Sequence, residues 1–272
     1  MRISAISYLN TAPLMWDFER GTPEPDFEIS YTVPSQCAAE LASGTTDIGI
    51  IPSAAYATIP GLVILPDIAI AAKRAVRSIL LVSKKPIEQI QNVALDNSSL
   101  TSVALLRVLF HKFWHVAPQF DSAQPTLHSM LAEHDAALLI GDPALQVDRS
   151  KYPTWDLAEE WIHLTGKPFV FAFWAMTRAA AEQAPSNLSA IFQRSRDHGL
   201  QPHNLAAIAE TWSRRLGMTS AAVVEYLTEN IHYYLDDACL EGLHLFYRYA
   251  HECNLVPVAP ELHFFEPKPA ML

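Results

Sequence analysis

Apolar and polar positions alternate along the first sixty residues in a repeated strand-then-helix rhythm. Residues 3–7 read as a strand, turn through Tyr8-Leu9-Asn10-Thr11, and pass into a helix with Pro13 in its first turn, ending near Arg20 with Gly21 as the stop. A second strand over 27–33 leads through Pro34-Ser35-Gln36 into a helix over 37–43 closed by Gly44, and a third over 47–51 meets Pro52-Ser53 at the start of a short helix. Three such junctions predict a parallel sheet. They also place Ser7, Tyr8 and Asn10 at the carboxyl end of a strand, where open α/β sheets bind ligands.

The pattern then turns strand-rich, with three apolar runs over 62–83 interrupted by Lys73, Arg74 and Arg77. Those cations are either protective charges on a solvated edge strand or, with Ser78, part of a cleft. Lys84-Lys85-Pro86 reads as a crossover. Beyond it the period changes inside a polar loop: residues 93–95 end a buried strand, 102–109 carry apolar side chains at helical spacing, and Asp96-Asn97-Ser98-Ser99-Leu100-Thr101 lies between. A hydroxyl loop at a helix N-terminus is an anion site, because the first N–H groups and the positive end of the macrodipole face outward. Ser99 or Thr101 serving only as a helix cap is the simpler alternative.

A poorly patterned stretch follows, then a strand over 136–140 ending in Gly141-Asp142-Pro143, a helix over 156–165 closed by Gly166, and an all-apolar strand over 167–176. Residues 178–253 read as four helices, 185–198, 202–216, 220–235 and 237–254, with Val223, Tyr226, Leu227, Ile231 and Tyr234 as a packing stripe. The proline-rich tail from 256 onward is expected to wrap the surface or to be partly disordered. The whole predicts an α/β fold of two lobes, 1–84 plus 175–272 and 85–174, with the C-terminal helices on lobe one. Two crossings, near Lys84 and Phe171, give it the double-stranded hinge of the class II periplasmic-binding-protein-like fold, and the ligand cleft lies between the lobes.

Composition narrows the chemistry. A formal net charge of -10 argues against nucleic acid and anionic membrane as partners, so an anionic ligand needs a local positive field. Cys37, Cys239 and Cys253 lack C-x-x-C spacing and read as reduced thiols of a cytoplasmic protein, in line with an N-terminus that has no signal-peptide character. No apolar run matches a membrane span. Neither nucleotide-binding glycine motifs nor a G-x-S-x-G elbow occurs, so no cofactor is expected. His111 and His115 share a helix face but have no acidic or thiol partner near them in sequence, so no metal is expected either. Monomer and homodimer both remain open.

Several consecutive motifs resemble one family. Ser7-Tyr8-Leu9-Asn10-Thr11-Ala12-Pro13-Leu14, Asp47-Ile48-Gly49-Ile50-Ile51-Pro52-Ser53, Ala94-Leu95-Asp96 with Ser98-Ser99 and Thr101 to Arg107, Ile140-Gly141-Asp142-Pro143, and Thr165-Gly166-Lys167-Pro168-Phe169 are similar to chorismate dehydratase of the futalosine menaquinone pathway. The chain departs at Leu100, where the resemblance leads one to expect a basic residue. The resemblance implies a small dicarboxylate substrate, chorismate, and loss of water driven by aromatisation. For such a substrate we expect Ser99, Thr101, Ser102 and the helix N-terminus to hold one carboxylate, and Ser53, Arg77 and Ser78 to hold the other from the first lobe. Ser7 and Gly141 stand at the matched strand ends. Asn10 is expected to orient the leaving hydroxyl or stabilise developing charge, and Asp142 to act as base, as positioner, or only as part of a Gly-Asp-Pro turn. No His stands at a matched strand end, which leaves a substrate carboxylate as a possible base. Two competitors are the dihydroxynaphthoate synthase sibling, expected to place a catalytic His in the second lobe and disfavoured by Gly141-Asp142, and a non-catalytic carboxylate-binding protein.

Overall fold

A computed structural model describes residues 1–21 and 27–266; the end of the proline-rich tail lies outside the described residues. The described strands are β1 (Arg2–Ile6), β2 (Glu28–Thr32), β3 (Ile48–Pro52), β4 (Leu62–Ala72), β5 (Ile79–Ser83), β6 (Asn92–Asp96), β7 (Gln119–Ala123), β8 (Ala136–Ile140), β9 (Thr154–Asp156) and β10 (Phe169–Thr177). They form two five-stranded sheets of order β2-β1-β3-β10-β4 and β7-β6-β8-β5-β9. In each, three parallel strands meet a fourth that runs antiparallel and arrives from the other lobe, β10 beside β3 and β5 beside β8. The two-lobe α/β expectation is met.

The crossings fall elsewhere than near Lys84 and Phe171. Every residue of β5 is buried, and it pairs with β8 from Ile79↔Ile140 to Ser83↔Ala136, so it belongs to the second lobe and Lys84-Lys85-Pro86 is the turn behind it. β10 lies wholly in the first sheet. The chain therefore crosses over 73–78 and returns over 157–168. Asp156 ties the two crossings together. Its carboxylate accepts N–H bonds from Val76 (3.1 Å) and Arg77 (2.6 Å) on the outward crossing and from Ala158 (3.1 Å) and Glu159 (3.2 Å) at the start of the return helix Leu157–Thr165.

Other differences have local causes. The apolar runs before Lys73 form one strand, β4, bulged beside Asp67, which sits at φ 64°. The expected helix over 13–20 is a 3-10 helix over Leu9–Met15 followed by a short α-helix, Trp16–Arg20. The poorly patterned stretch holds β7 and the helix Leu127–Glu133; β7 is an edge strand of mixed polarity, fixed by its pairing with β6. The helix expected over 220–235 runs only from Ser220 to Glu225, passes through a π-helical turn at Tyr226–Asn230, and then extends. Ala71 and His232 exchange backbone bonds of 2.9 and 2.8 Å, and Ile64 exchanges a pair of 2.8 Å with His263 and Phe265 of the tail. Both segments cover the otherwise open edge of β4. Among the described residues no helix is long and apolar enough to cross a membrane.

Candidate active site

The cleft is built where β1 and β6, the equivalent strands of the two sheets, give way to helices. After β1, Tyr8 adopts an extended conformation and the 3-10 helix starts at Leu9 with no side-chain cap. The Leu9 N–H instead donates across the cleft to Asp142 Oδ1 at 3.0 Å. After β6, Ser99 is the N-cap of Leu100–Leu109: its Oγ accepts from Ser102 N–H at 3.3 Å and lies 3.0 Å from Ser102 Oγ. The loop is stiffened from below by Asp96, which is fully buried and accepts from Ser98 N–H (3.0 Å), Ser98 Oγ–H (2.5 Å) and Ile140 N–H (3.3 Å).

Gly141 closes the approach between the lobes. It has φ +61°, and a Cβ there would lie 2.7 Å from ring atoms of Tyr8, so both conformation and space require glycine. The Gly141 N–H donates to the Ser78 carbonyl at 2.7 Å, and the Tyr8 hydroxyl lies 3.4 Å from Ser98 Oγ. Ser78, at the end of the outward crossing, accepts from the Tyr226 hydroxyl at 2.8 Å.

These contacts border a cavity that is open to solvent at its mouth. Asn10, Ser78, Ser99, Ser102 and Tyr8 supply its polar wall, Gly141 its narrowest side, and Ile6, Ile70, Ile140 and Phe171 much of its apolar wall. No Asp, Glu, His, Lys or Arg is among the described residues lining it. The cavity can thus offer hydroxyl, amide and helix N–H donors to an anion in a site of low polarity, but not a carboxylate or imidazole base.

Five of the expected site residues meet at this cavity: Asn10, Ser78, Ser99, Ser102 and Gly141. The side chains of the others are engaged elsewhere in this structure. Ser53 and Thr101 are buried in the seam between the lobes, where Ser53 Oγ–H donates to the Val170 carbonyl (2.8 Å) and Thr101 Oγ1 accepts from Ala54 N–H (3.0 Å). Arg77 has φ 62° and directs its guanidinium to Glu225 at 3.3 Å on the surface. The Ser7 Oγ–H points to the Thr32 carbonyl (3.4 Å) and lines a neighbouring cavity. Asp142 latches the lobes from outside the cavity wall. Burial pushes its carboxyl above the ordinary range, against the opposing effects of the Leu9 N–H and Arg215.

Sequence reasoning placed Tyr8 at a ligand-binding strand end without assigning it a contact, and treated Tyr226 as packing. An extended aromatic just past a strand end was a usable signal for Tyr8; nothing marked the reach of the Tyr226 hydroxyl, because it depends on a π-helical turn. The neighbouring cavity shares Ile6 and Tyr8 with the first and contains Arg215, whose guanidinium stacks 4.4 Å over Trp212. His111 approaches Cys253 Sγ at 3.6 Å. A separate group of potential metal ligands, His232, Asp236 and Cys239, lies at the start of the helix Asp237–Glu252, where Lys73 Nζ already stands 2.6 Å from Asp236.

Residues 1–252 match the family model described as menaquinone biosynthesis. The chain belongs to that family. Within it, a chorismate dehydratase of Thermus thermophilus is 30% identical over 257 residues, covering 88% of this chain and 91% of the relative. Solved structures bear out the menaquinone-biosynthesis family member's fold. A protein of Archaeoglobus fulgidus superimposes with TM-score 0.71 at 15% identity, over 94% of this chain and 98% of the other. The periplasmic aliphatic sulphonate binding protein of Escherichia coli does so with TM-score 0.67 at 17% identity, over 100% and 95%. These two likenesses speak to the periplasmic-binding-protein-like fold alone.

Proposed function

We propose that this protein is a chorismate dehydratase, converting chorismate to 3-[(1-carboxyvinyl)oxy]benzoate and water in the cytoplasm. The observation that carries the reading is the likeness to a chorismate dehydratase over most of both chains. The cleft supports it chemically. The capped N-terminus of Leu100–Leu109, with Ser99 and Ser102, holds one substrate carboxylate through oriented donors and the helix dipole. Asn10 and Ser78 face the reacting edge of the ring from the first lobe and the crossing.

In the reaction the C–H bond at the ether-bearing carbon breaks and its electrons become a ring double bond. The neighbouring C–O bond breaks with its electron pair on oxygen, and the proton ends on the departing hydroxide as water. With no ionisable base among the described lining residues, the proton passes first to a carboxylate of the substrate itself. The protein supplies orientation and donors for the developing hydroxide charge.

The test is direct: purified protein is incubated with chorismate and followed by mass spectrometry. Catalytic appearance of an ion lighter by one water is the expected result. Saturable binding without turnover would instead establish a non-catalytic carboxylate-binding protein.

A further inference from the structure

Tyr226 is wholly buried, 1% exposed, and opens the π-helical turn Tyr226–Asn230 that interrupts a helix begun at Ser220. Such turns re-aim side chains and occur frequently at functional sites. This one brings a phenol from the C-terminal helices to the crossing between the lobes. The Tyr226 hydroxyl donates to Ser78 Oγ at 2.8 Å, and Ser78 lines the cavity beside Asn10.

Proton counting fixes the direction of this string. A phenol has one proton, and here it is given to Ser78. The neighbouring Asn10 is held separately, Thr11 Oγ1–H donating to its Oδ1 at 3.4 Å. Ser78 Oγ, having accepted from Tyr226, keeps its own proton for another acceptor, and Ser78 lines the cavity.

We propose that Tyr226 is a positioning residue for the dehydration: it fixes the Ser78 hydroxyl so that its proton faces the cavity and donates to the substrate oxygen that departs. The inference rests on the dehydratase reading given above. Ser78 keeps its proton throughout, and the departing hydroxide takes the one released by the ring carbon. Without the phenol, Ser78 can rotate to other acceptors, and the donor is no longer in place when charge develops.

The test is a double-mutant cycle of Tyr226→Phe and Ser78→Ala on the full chain, with kcat and KM for chorismate measured beside thermal unfolding. Tyr226→Phe should lower kcat by about tenfold or more with KM within about twofold, a smaller loss than the ~10²-fold of removing a direct donor by Ser78→Ala. The double variant should be no slower than Ser78→Ala alone. Losses that multiply, or a Tyr226→Phe variant whose kcat is intact, would overturn the proposal. If Tyr226→Phe fails to fold, 3-fluorotyrosine at position 226 keeps the question open to measurement, because a more acidic phenol is a stronger donor: kcat should change with KM steady, and no change in kcat counts against the role. Wild-type protein that never dehydrates chorismate would sink the dehydratase reading itself and this inference with it, an outcome distinct from turnover with independent Tyr226 and Ser78 effects.

Discussion

The two lobes share a strand order, yet their equivalent strand-to-helix junctions solve the same problem differently. After β6 the helix is capped from within by Ser99, and its first turn is left facing the cavity. After β1 the 3-10 helix has no cap of its own and borrows Asp142 from the opposite lobe. The second lobe's junction is therefore complete before the lobes meet, whereas the first lobe's is completed only by their meeting. In the proposed reading the self-sufficient junction binds the anion and the dependent one serves closure.

Gly141→Ala attacks the point where both junctions touch and has the largest expected effect. The residue needs positive φ, and its Cβ would collide with the Tyr8 ring. The backbone conformation alone costs about 1 kcal/mol for a residue with a Cβ, and the ring must also move. Chorismate turnover should fall by about 100-fold or more, as expected when reacting groups are displaced by an ångström. Retained turnover would show that the lobes need not approach this closely. Ser99→Ala then separates the junctions: losing the cap costs about 1 kcal/mol of stability. Removing one charge-assisted hydrogen bond should raise KM for chorismate by roughly tenfold. An unchanged KM with lowered stability would reduce Ser99 to a cap.

How much of this was legible beforehand differs between the same two junctions. The hydroxyl loop at 96–101 declares itself because capping is local: Ser99 and Ser102 lie three apart and interact within one turn. The two-lobe fold is legible for a similar reason, since each βα unit carries its own periodicity and stop signals. Arg77 could not be placed by the same reasoning, because its direction depends on Asp156, seventy-nine positions away, holding its N–H. Ser53 and Thr101 stand in the expected hydroxyl positions but meet each other at 3.4 Å in the seam, a pairing between lobes that no local pattern encodes. β5 was assigned to the wrong lobe because a fully buried strand of either sheet has the same apolar sequence; only its partner β8 distinguishes them.

Asp142→Asn sharpens the account of the borrowed contact. The amide oxygen can still accept the Leu9 N–H, so closure should persist, with turnover within about threefold of wild type if the contact is a hydrogen bond and not a proton-transfer site. Loss of all turnover with chorismate binding intact would restore Asp142 as the base. Stability supplies a second measurement. Burial raises the folded carboxyl above its unfolded value, so the native state holds the proton more tightly and ionisation at neutral pH disfavours folding. The asparagine variant should accordingly be at least as stable as wild type near pH 7, with the advantage shrinking as pH falls through the raised folded value and vanishing below the unfolded carboxyl value of about 4. Denaturant midpoints at several pH values would show it, and an advantage that grew in acid would contradict the assignment.

The smallest effect expected comes from the charge between the junctions. A dianionic substrate approaches a chain of net charge -10, and no cation lines the main cavity among the described residues. Arg215 lies in the neighbouring cavity, which shares the Tyr8 wall, and it opposes the rise in the Asp142 carboxyl. Exposed and stacked on Trp212, it is placed to draw an anion toward the mouth without touching the reacting atoms. Arg215→Gln should then raise KM by about twofold at physiological salt and leave kcat unchanged, because the interaction is screened over a Debye length of about 8 Å. The difference from wild type should widen at low ionic strength and close at high salt. A salt-independent change in kcat would instead place Arg215 in contact with the substrate, making the first lobe's junction, like the second's, a binding site in its own right.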